Sequence, residues 1–361
     1  MKQAQSSTRS ASTAGIGIVR SLIIIILGVL LVATAARAQA PRFVIDDDEY
    51  VDKVVSASTK LREARKLVSL GALRREVRLG GCAVKLSPRA SRKLSPPDLC
   101  DRLRESTLAV GTFYKCPDCG GWHFNGSAGF VVGEEGVVCT CCHVILGEDP
   151  DVKEGYLVAA DSAGHVFPVQ SVLAADRDAD TCFVKIGANL KPLPLRADVR
   201  VGEPVFCLSN PGGYYFMFTQ GMVSRLNSRR EDAVDDHGQT NGLLTQPVLL
   251  LNVTAEFAPG SSGAPMVDEA GNVVGQVASI ADAGEPDAGD DNSPASPSVP
   301  MRFCTAAEEI LRLADPNLAE KSRSGHAKGS PDKSRTGAAN SQTTAARPGA
   351  PAQSDAVTAR R

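Results

Sequence analysis

The chain of 361 residues has little surplus charge, few histidines and no long apolar run. Its 39 Lys and Arg nearly cancel 41 Asp and Glu, leaving a net charge of -2. That balance supplies no bulk field for a polyanion, so nucleic acid is excluded as an expected partner. The apolar run Leu22 to Val32 is short against the roughly 20 residues of a bilayer span. Only five histidines are present, so any site that needs an imidazole has few choices. Between residues 106 and 303 there is no helical period, which argues against an alternating α/β architecture.

The short apolar run has a different reading. Lys2, Arg9 and Arg20 precede it, and the small residues Ala33 to Ala38 follow it. This is the pattern of an export signal, with a cleavage site at Ala36-Arg37-Ala38. Residues 1–38 are therefore expected to be a signal peptide and the protein to be periplasmic or extracellular. A membrane becomes a partner only if this segment stays uncleaved. All ten cysteines follow it. An oxidising compartment favours disulfides, but their pairing cannot be read from spacing.

What is present is a run of short strands with regular turns. Thr107–Tyr114, Ala128–Val132, Val137–Thr140, Tyr156–Ala160, Val166–Val172, Thr181–Ile186, Pro204–Ser209, Tyr215–Val223, Leu243–Val253, Met266–Ile280 and Val299–Phe303 all read as strands. Such a series indicates an all-β barrel or sandwich. Residues 39–105 form a helical leader. One helix is expected over 46–80, from the spacing of Val51, Val54, Val55, Leu61, Ala64, Leu67 and Val68. A second starts at Ser95 as N-cap, with Pro96 and Pro97 in its first turn. Arg229–Gly242 and Asp282–Ser298 read as exposed loops, and Thr305–Ala314 as a terminal helix. Residues 315–361 are basic, rich in Ser, Ala, Gly and Pro, and expected to be disordered.

The chemistry centres on Pro259-Gly260-Ser261-Ser262-Gly263-Ala264-Pro265. Glycine supplies the positive φ of ordinary turns, so the run alone proves little. Between two strands, however, such a turn can present the Ser262 hydroxyl to a cleft. The N–H groups of Gly260 and Ser262 can then converge on one oxyanion. A serine hydroxyl is a weak nucleophile and needs a base and an orienting group. His326 falls in the tail, His237 in a charged loop, His165 in a turn and His123 among cysteines. His143 closes the strand Val137–Thr140, where a sheet can hold an imidazole at a cleft edge. For the orienter, Asp180 is the last acid before the strand Thr181–Ile186, whereas Asp176 and Asp178 read as a solvated turn. A partly buried Asp180 needs a hydrogen-bond partner, and His143 supplies one.

These residues resemble the trypsin-like serine peptidases, in the branch of the HtrA/Deg proteases. Five collinear segments carry the resemblance: Gly129-Phe130 followed by Thr140-Cys141-Cys142-His143-Val144; Asp180 to Ile186; Ser209-Asn210-Pro211-Gly212; Thr219-Gln220-Gly221-Met222-Val223-Ser224; and Pro259 to Pro265. The resemblance covers residues 106–314, and no PDZ segment follows among the residues at hand. Cys141 stands where the family has Asn, and Ala264 replaces a glycine. The resemblance implies an all-β fold of two six-stranded barrels with the triad between them. It further implies a serine endopeptidase, without cofactor, acting on polypeptides of exported or misfolded proteins. A competing reading is a weakly active module of the same fold that binds peptides by strand addition.

In this fold the specificity pocket is lined by residues before the serine and by the strand after it, here Glu256, Ala258, Gln276 and Ala278. Glu256 at the pocket floor would favour Lys or Arg. The small neighbours favour short aliphatic side chains, which is the preferred reading. Cys116-x-x-Cys119 with His123 and Trp122 resembles a zinc knuckle but offers three ligands where a structural zinc takes four. A fourth would have to come from Cys139 or Cys141. The preferred reading is no metal, with a disulfide or two thiols ordering a loop and Trp122 as its apolar plug.

Overall fold

The computed structural model describes residues 42–77, 80–147, 152–229, 232–234, 240–244, 247–283 and 299–315. The expected signal peptide, residues 284–298 of the second insertion and all of the basic tail beyond residue 315 lie outside them. Among the described residues no helix is long and apolar enough to cross a membrane. Residues 42–45 belong to a separate unit, 1–45, and have no regular secondary structure.

Two closed antiparallel barrels of six strands each form the body. The first comprises β1 (Thr107–Lys115), β2 (Trp122–Gly133), β3 (Val137–Thr140), β4 (Gly155–Ala160), β5 (Val166–Asp176) and β6 (Thr181–Ile186), in the order β1-β2-β3-β6-β5-β4. The second comprises β7 (Pro204–Ser209), β8 (Met217–Arg229), β11 (Val248–Val253), β12 (Pro265–Val267), β13 (Val273–Ala283) and β14 (Val299–Ala306), in the order β11-β14-β13-β12-β7-β8. This is the chymotrypsin-like arrangement that the resemblance implies. Alternate residues fill each barrel, as the period of two requires. Cys182, Val184 and Ile186 enter the first core, and Val205, Cys207, Leu251 and Val253 enter the second.

The expected helix over 46–80 is two helices, α1 (Asp47–Glu63) and α2 (Leu70–Glu76). The chain turns at Arg65, whose φ is 55°. The two halves serve different surfaces. Tyr50 on α1 lies with its ring 4.6 Å from Tyr215 and 5.6 Å from Phe216, and Asp47 Oδ1 accepts from Tyr215 N–H at 2.9 Å. Leu70 and Leu73 on α2, with Val77 beyond it, belong to the first barrel's core. One straight helix would reach only one of these targets. The third helix, α3 (Pro96–Arg104), starts as expected, with Ser95 Oγ accepting from Asp98 N–H and Leu99 and Leu103 buried.

Two further differences are local. The hairpin β9 (Asp232–Val234) and β10 (Thr240–Leu244) forms where a plain loop was expected. A short helix, α4 (Cys142–Leu146), follows β3; one turn is too short to show a period in sequence. A last helix, α5 (Ala307–Ala314), closes the unit. Its C-terminal end receives the incoming chain, where Cys82 N–H donates to Leu313 O at 3.0 Å and Val84 N–H to Ala314 O at 3.1 Å.

Because Leu73 is fully buried in the barrel core, Leu73→Ala should destabilise the unit by about 2–5 kcal/mol. Chemical denaturation followed by far-UV circular dichroism checks this. A change within experimental error would mean that α2 merely rests on the surface.

Candidate active site

The Ser262 turn is shaped by two glycines and by the opposite barrel. Gly260 has φ 93° and Gly263 φ 88°, a region costly for any side chain. A Cβ on Gly260 would sit 2.5 Å from Asn210 O, and one on Gly263 would overlap Ala128 O and Thr140 Oγ1. Ala264 lies outside the positive-φ set, so its methyl causes no backbone strain. The turn is tied down at both ends. Gly212 N–H donates to Pro259 O at 2.7 Å, and Val277 N–H to Ala264 O at 2.9 Å. From the first barrel, Ala128 N–H and Ser127 Oγ–H donate to Ser262 O at 2.9 and 2.8 Å.

The N–H groups along this turn alternate. Ser261 N–H donates to Ala258 O at 3.0 Å and Gly263 N–H to Val277 O at 2.8 Å. Among the described residues, those of Gly260 and Ser262 have no acceptor. Ser261 is buried, with its hydroxyl bonded to Ser209 Oγ at 3.1 Å, whereas Ser262 is partly exposed. Of the two adjacent serines, then, only the second has solvent access.

His143 sits in α4 and Asp180 at the entry to β6. The Asp180 carboxylate grips the histidine twice. Oδ1 accepts the His143 backbone N–H at 2.9 Å, and Oδ2 lies 2.5 Å from Nδ1. The backbone of Asp180 takes φ 50°, a strained value that an aspartate tolerates better than most residues. Asp176, by contrast, accepts from Asp178 N–H and Ala179 N–H in a local turn. Burial alone would pull the His143 pKa down. The hydrogen bond and negative charge of Asp180 act in the opposite direction and prevail, so the imidazole stands above its usual value. Thr140, three residues before His143, donates to Ala128 O at 2.7 Å beside Gly263. The histidine segment and the serine turn thus meet at the same barrel seam.

Under the His–Asp pair lies a hydrogen-bonded layer that the sequence did not signal. Gln276 is fully buried. Its Nε2 donates to Cys141 Sγ at 3.0 Å and to Asp180 O at 3.3 Å, and its Oε1 accepts from Cys139 Sγ–H at 2.9 Å. It was expected in the specificity pocket; its amide is instead taken up inside the seam. Burial pushes the thiols of Cys139 and Cys141 well above their usual pKa, so they serve as neutral hydrogen-bonding groups. Of the other expected pocket residues, Ala258 and Ala278 are half-buried and Glu256 is exposed.

His165 forms a second His–Asp pair, Nδ1 to Asp161 Oδ2 at 2.9 Å, inside its own turn. Cys116, Cys119 and His123 come together where β1 joins β2. Cys139 and Cys141 are not with them, so neither supplies the fourth ligand considered from sequence. All ten cysteines are unpaired.

Two six-stranded barrels with a His–Asp pair and a glycine-framed serine turn at their seam define the class of trypsin-like peptidase domains. Comparison with known proteins agrees: residues 126–275 match the family described as "Trypsin-like peptidase domain". Protease Do-like 1, chloroplastic, of Arabidopsis thaliana is 33% identical over 153 residues, which are 41% of this chain and 31% of that protein. Serine protease PepD of Mycobacterium tuberculosis is 28% identical over 207 residues, 55% of this chain and 42% of that one. A crystal structure of Deg5 aligns with 60% of this chain and 90% of its own at 21% identity, with a TM-score of 0.41. Over residues 126–275 the chain is thus similar to trypsin-like peptidase domains, among them those of Do-like and PepD serine proteases. It spans under half the length of the curated relatives named here.

Gly263→Ala should lower the melting temperature and shift the Ser262 turn, since strain at positive φ costs about 1–3 kcal/mol before the overlap with Ala128 is counted. Calorimetry checks the first effect and a crystal structure the second. An unchanged melting temperature would show that the turn has room to relax.

Proposed function

We propose that the protein is a serine endopeptidase that cleaves polypeptides by acyl transfer. His143 acts as general base, Asp180 as its orienter and Ser262 as nucleophile. The N–H groups of Gly260 and Ser262 form the oxyanion hole. The observation that carries this reading is the two-point grip of Asp180 on His143 beside a turn whose 260 and 262 N–H groups lack acceptors among the described residues.

The chemistry then runs as follows. His143 takes the Ser262 proton as Oγ attacks the peptide carbonyl. The developing oxyanion accepts from the two free N–H groups, and Asp180 stabilises the imidazolium. His143 returns the proton to the leaving amine, and a water repeats the sequence on the acyl-enzyme. The raised pKa of His143 fits this role, because the carboxylate that orients the ring also stabilises its charged form.

The substrates proposed are exported or misfolded proteins, since the first 38 residues read as an export signal. Small aliphatic side chains are the proposed specificity. An acid serving as pocket floor would be enclosed, whereas Glu256 is exposed; Ala258 and Ala278 leave a small apolar lining.

Three outcomes are expected. A fluorophosphonate probe labels the wild type at Ser262 and leaves Ser262→Ala unlabelled; a wild type that does not label would favour the peptide-binding module instead. Asp180→Asn lowers kcat by about 10⁴-fold through the wrong imidazole tautomer, while its circular dichroism stays native. Near-normal turnover in that variant would remove Asp180 from the mechanism.

The third concerns pH. Neutral His143 is the working base, and a raised pKa keeps the ring protonated to a higher pH. The acid limb of kcat/KM should therefore lie above the ordinary histidine value of about 6.5. A limb below that value would contradict the Asp180 coupling.

A further inference from the structure

The turn joining β1 to β2 plays no part in the proposed mechanism, yet it is built in unusual detail. Strand pairing runs to Lys115 opposite Trp122 and Tyr114 opposite His123, which folds His123 back beside Cys116-Pro117-Asp118-Cys119. The backbone closes on itself: Cys116 N–H donates to Gly121 O at 2.9 Å and Gly120 N–H to Cys116 O at 3.0 Å. Gly120 provides the positive φ, 69°, that this reversal needs. Trp122 is stacked on Phe113 with ring centroids 4.5 Å apart, and the Arg62 guanidinium lies 4.5 Å from its ring centroid. The base of the turn is therefore fixed before any ligand arrives.

Three ligand atoms converge on this frame. The two Sγ atoms and a ring nitrogen of His123 all lie within 4.8 Å of one another. A tetrahedral zinc with about 2.3 Å bonds to sulfur sets its ligands roughly 3.8 Å apart, so small side-chain rotations complete the geometry. His123 Nε2 lies 3.0 Å from Cys119 Sγ, and Gly121 N–H donates to the same sulfur at 3.3 Å. The Gly121 amide aimed at the Cys119 sulfur matches a metal-bound thiolate. A disulfide would leave that donor with a poor acceptor and His123 with no role.

We propose that Cys116, Cys119 and His123 bind one zinc ion, with water in the fourth position. Two thiolates and an imidazole suit zinc and exclude magnesium and calcium, which take oxygen ligands. Cys119 is exposed, so solvent reaches the open position. Binding releases the two thiol protons, and the ion fastens the turn between β1 and β2. The proposal departs from the sequence reading, which stopped at three ligands and preferred a disulfide or free thiols. The site is independent of the Ser262 chemistry.

The test uses the full chain purified under reducing conditions and dialysed against zinc without chelator. Elemental analysis should give stoichiometric zinc, lost in Cys119→Ser and in His123→Ala. Both substitutions lie outside the two barrel cores, and circular dichroism confirms their fold. Cobalt(II) in place of zinc should give a thiolate charge-transfer band and tetrahedral d–d bands. In the His123→Ala protein those d–d bands should weaken and shift. Removal by a chelator should lower the melting temperature without abolishing fluorophosphonate labelling. Absence of metal from the reduced protein, or a cobalt spectrum unchanged by His123→Ala, would overturn the proposal.

Discussion

The Ser262 carbonyl accepts two hydrogen bonds from β2 of the first barrel, from Ala128 N–H and Ser127 Oγ–H. The rest of the site depends on this crossing. The serine belongs to the second barrel, and the histidine and aspartate to the first. A seam that slipped by one residue would exchange the Ser262 carbonyl for its neighbour's and turn the hydroxyl away. Thr140 fastens the same place from the histidine side through Ala128 O. Ala128 thus binds the serine turn through its N–H and the histidine strand through its carbonyl.

The layer beneath is polar but carries no charge of its own. Gln276 joins the Asp180 carbonyl to the thiols of Cys139 and Cys141. Cys142 N–H adds a bond to the same carbonyl at 3.4 Å. A buried polar cluster is stable only when its members find partners, and each of these does. Neutral thiols add no further charge beside the His143–Asp180 pair. Cys141 is a member of this layer through Gln276.

Legibility in the sequence followed locality. The strands were readable because a period of two survives without knowledge of the partner, and the Ser95 cap because it concerns four consecutive residues. His143 and Asp180 were found by elimination among five histidines and by position at strand ends. The helix over 46–80 was over-extended. Its apolar residues keep a helical spacing through Arg65, and nothing local records that they face two different surfaces. The hydrogen bonding of Gln276 was hidden for the same reason. Alternation puts it on a strand beside the pocket, while the direction of its amide is set by Cys139 and Cys141, more than 130 residues away in the chain.

The sequence by itself determined the all-β class and the two-barrel resemblance, because each rests on spacing or on residue chemistry. Tertiary structure alone decided the break at Arg65, the burial of Gln276, the exposure of Ser262 against the burial of Ser261, and the meeting of Cys116, Cys119 and His123. Those depend on which backbone approaches from the other barrel or the opposite strand, and a linear pattern carries no record of that approach.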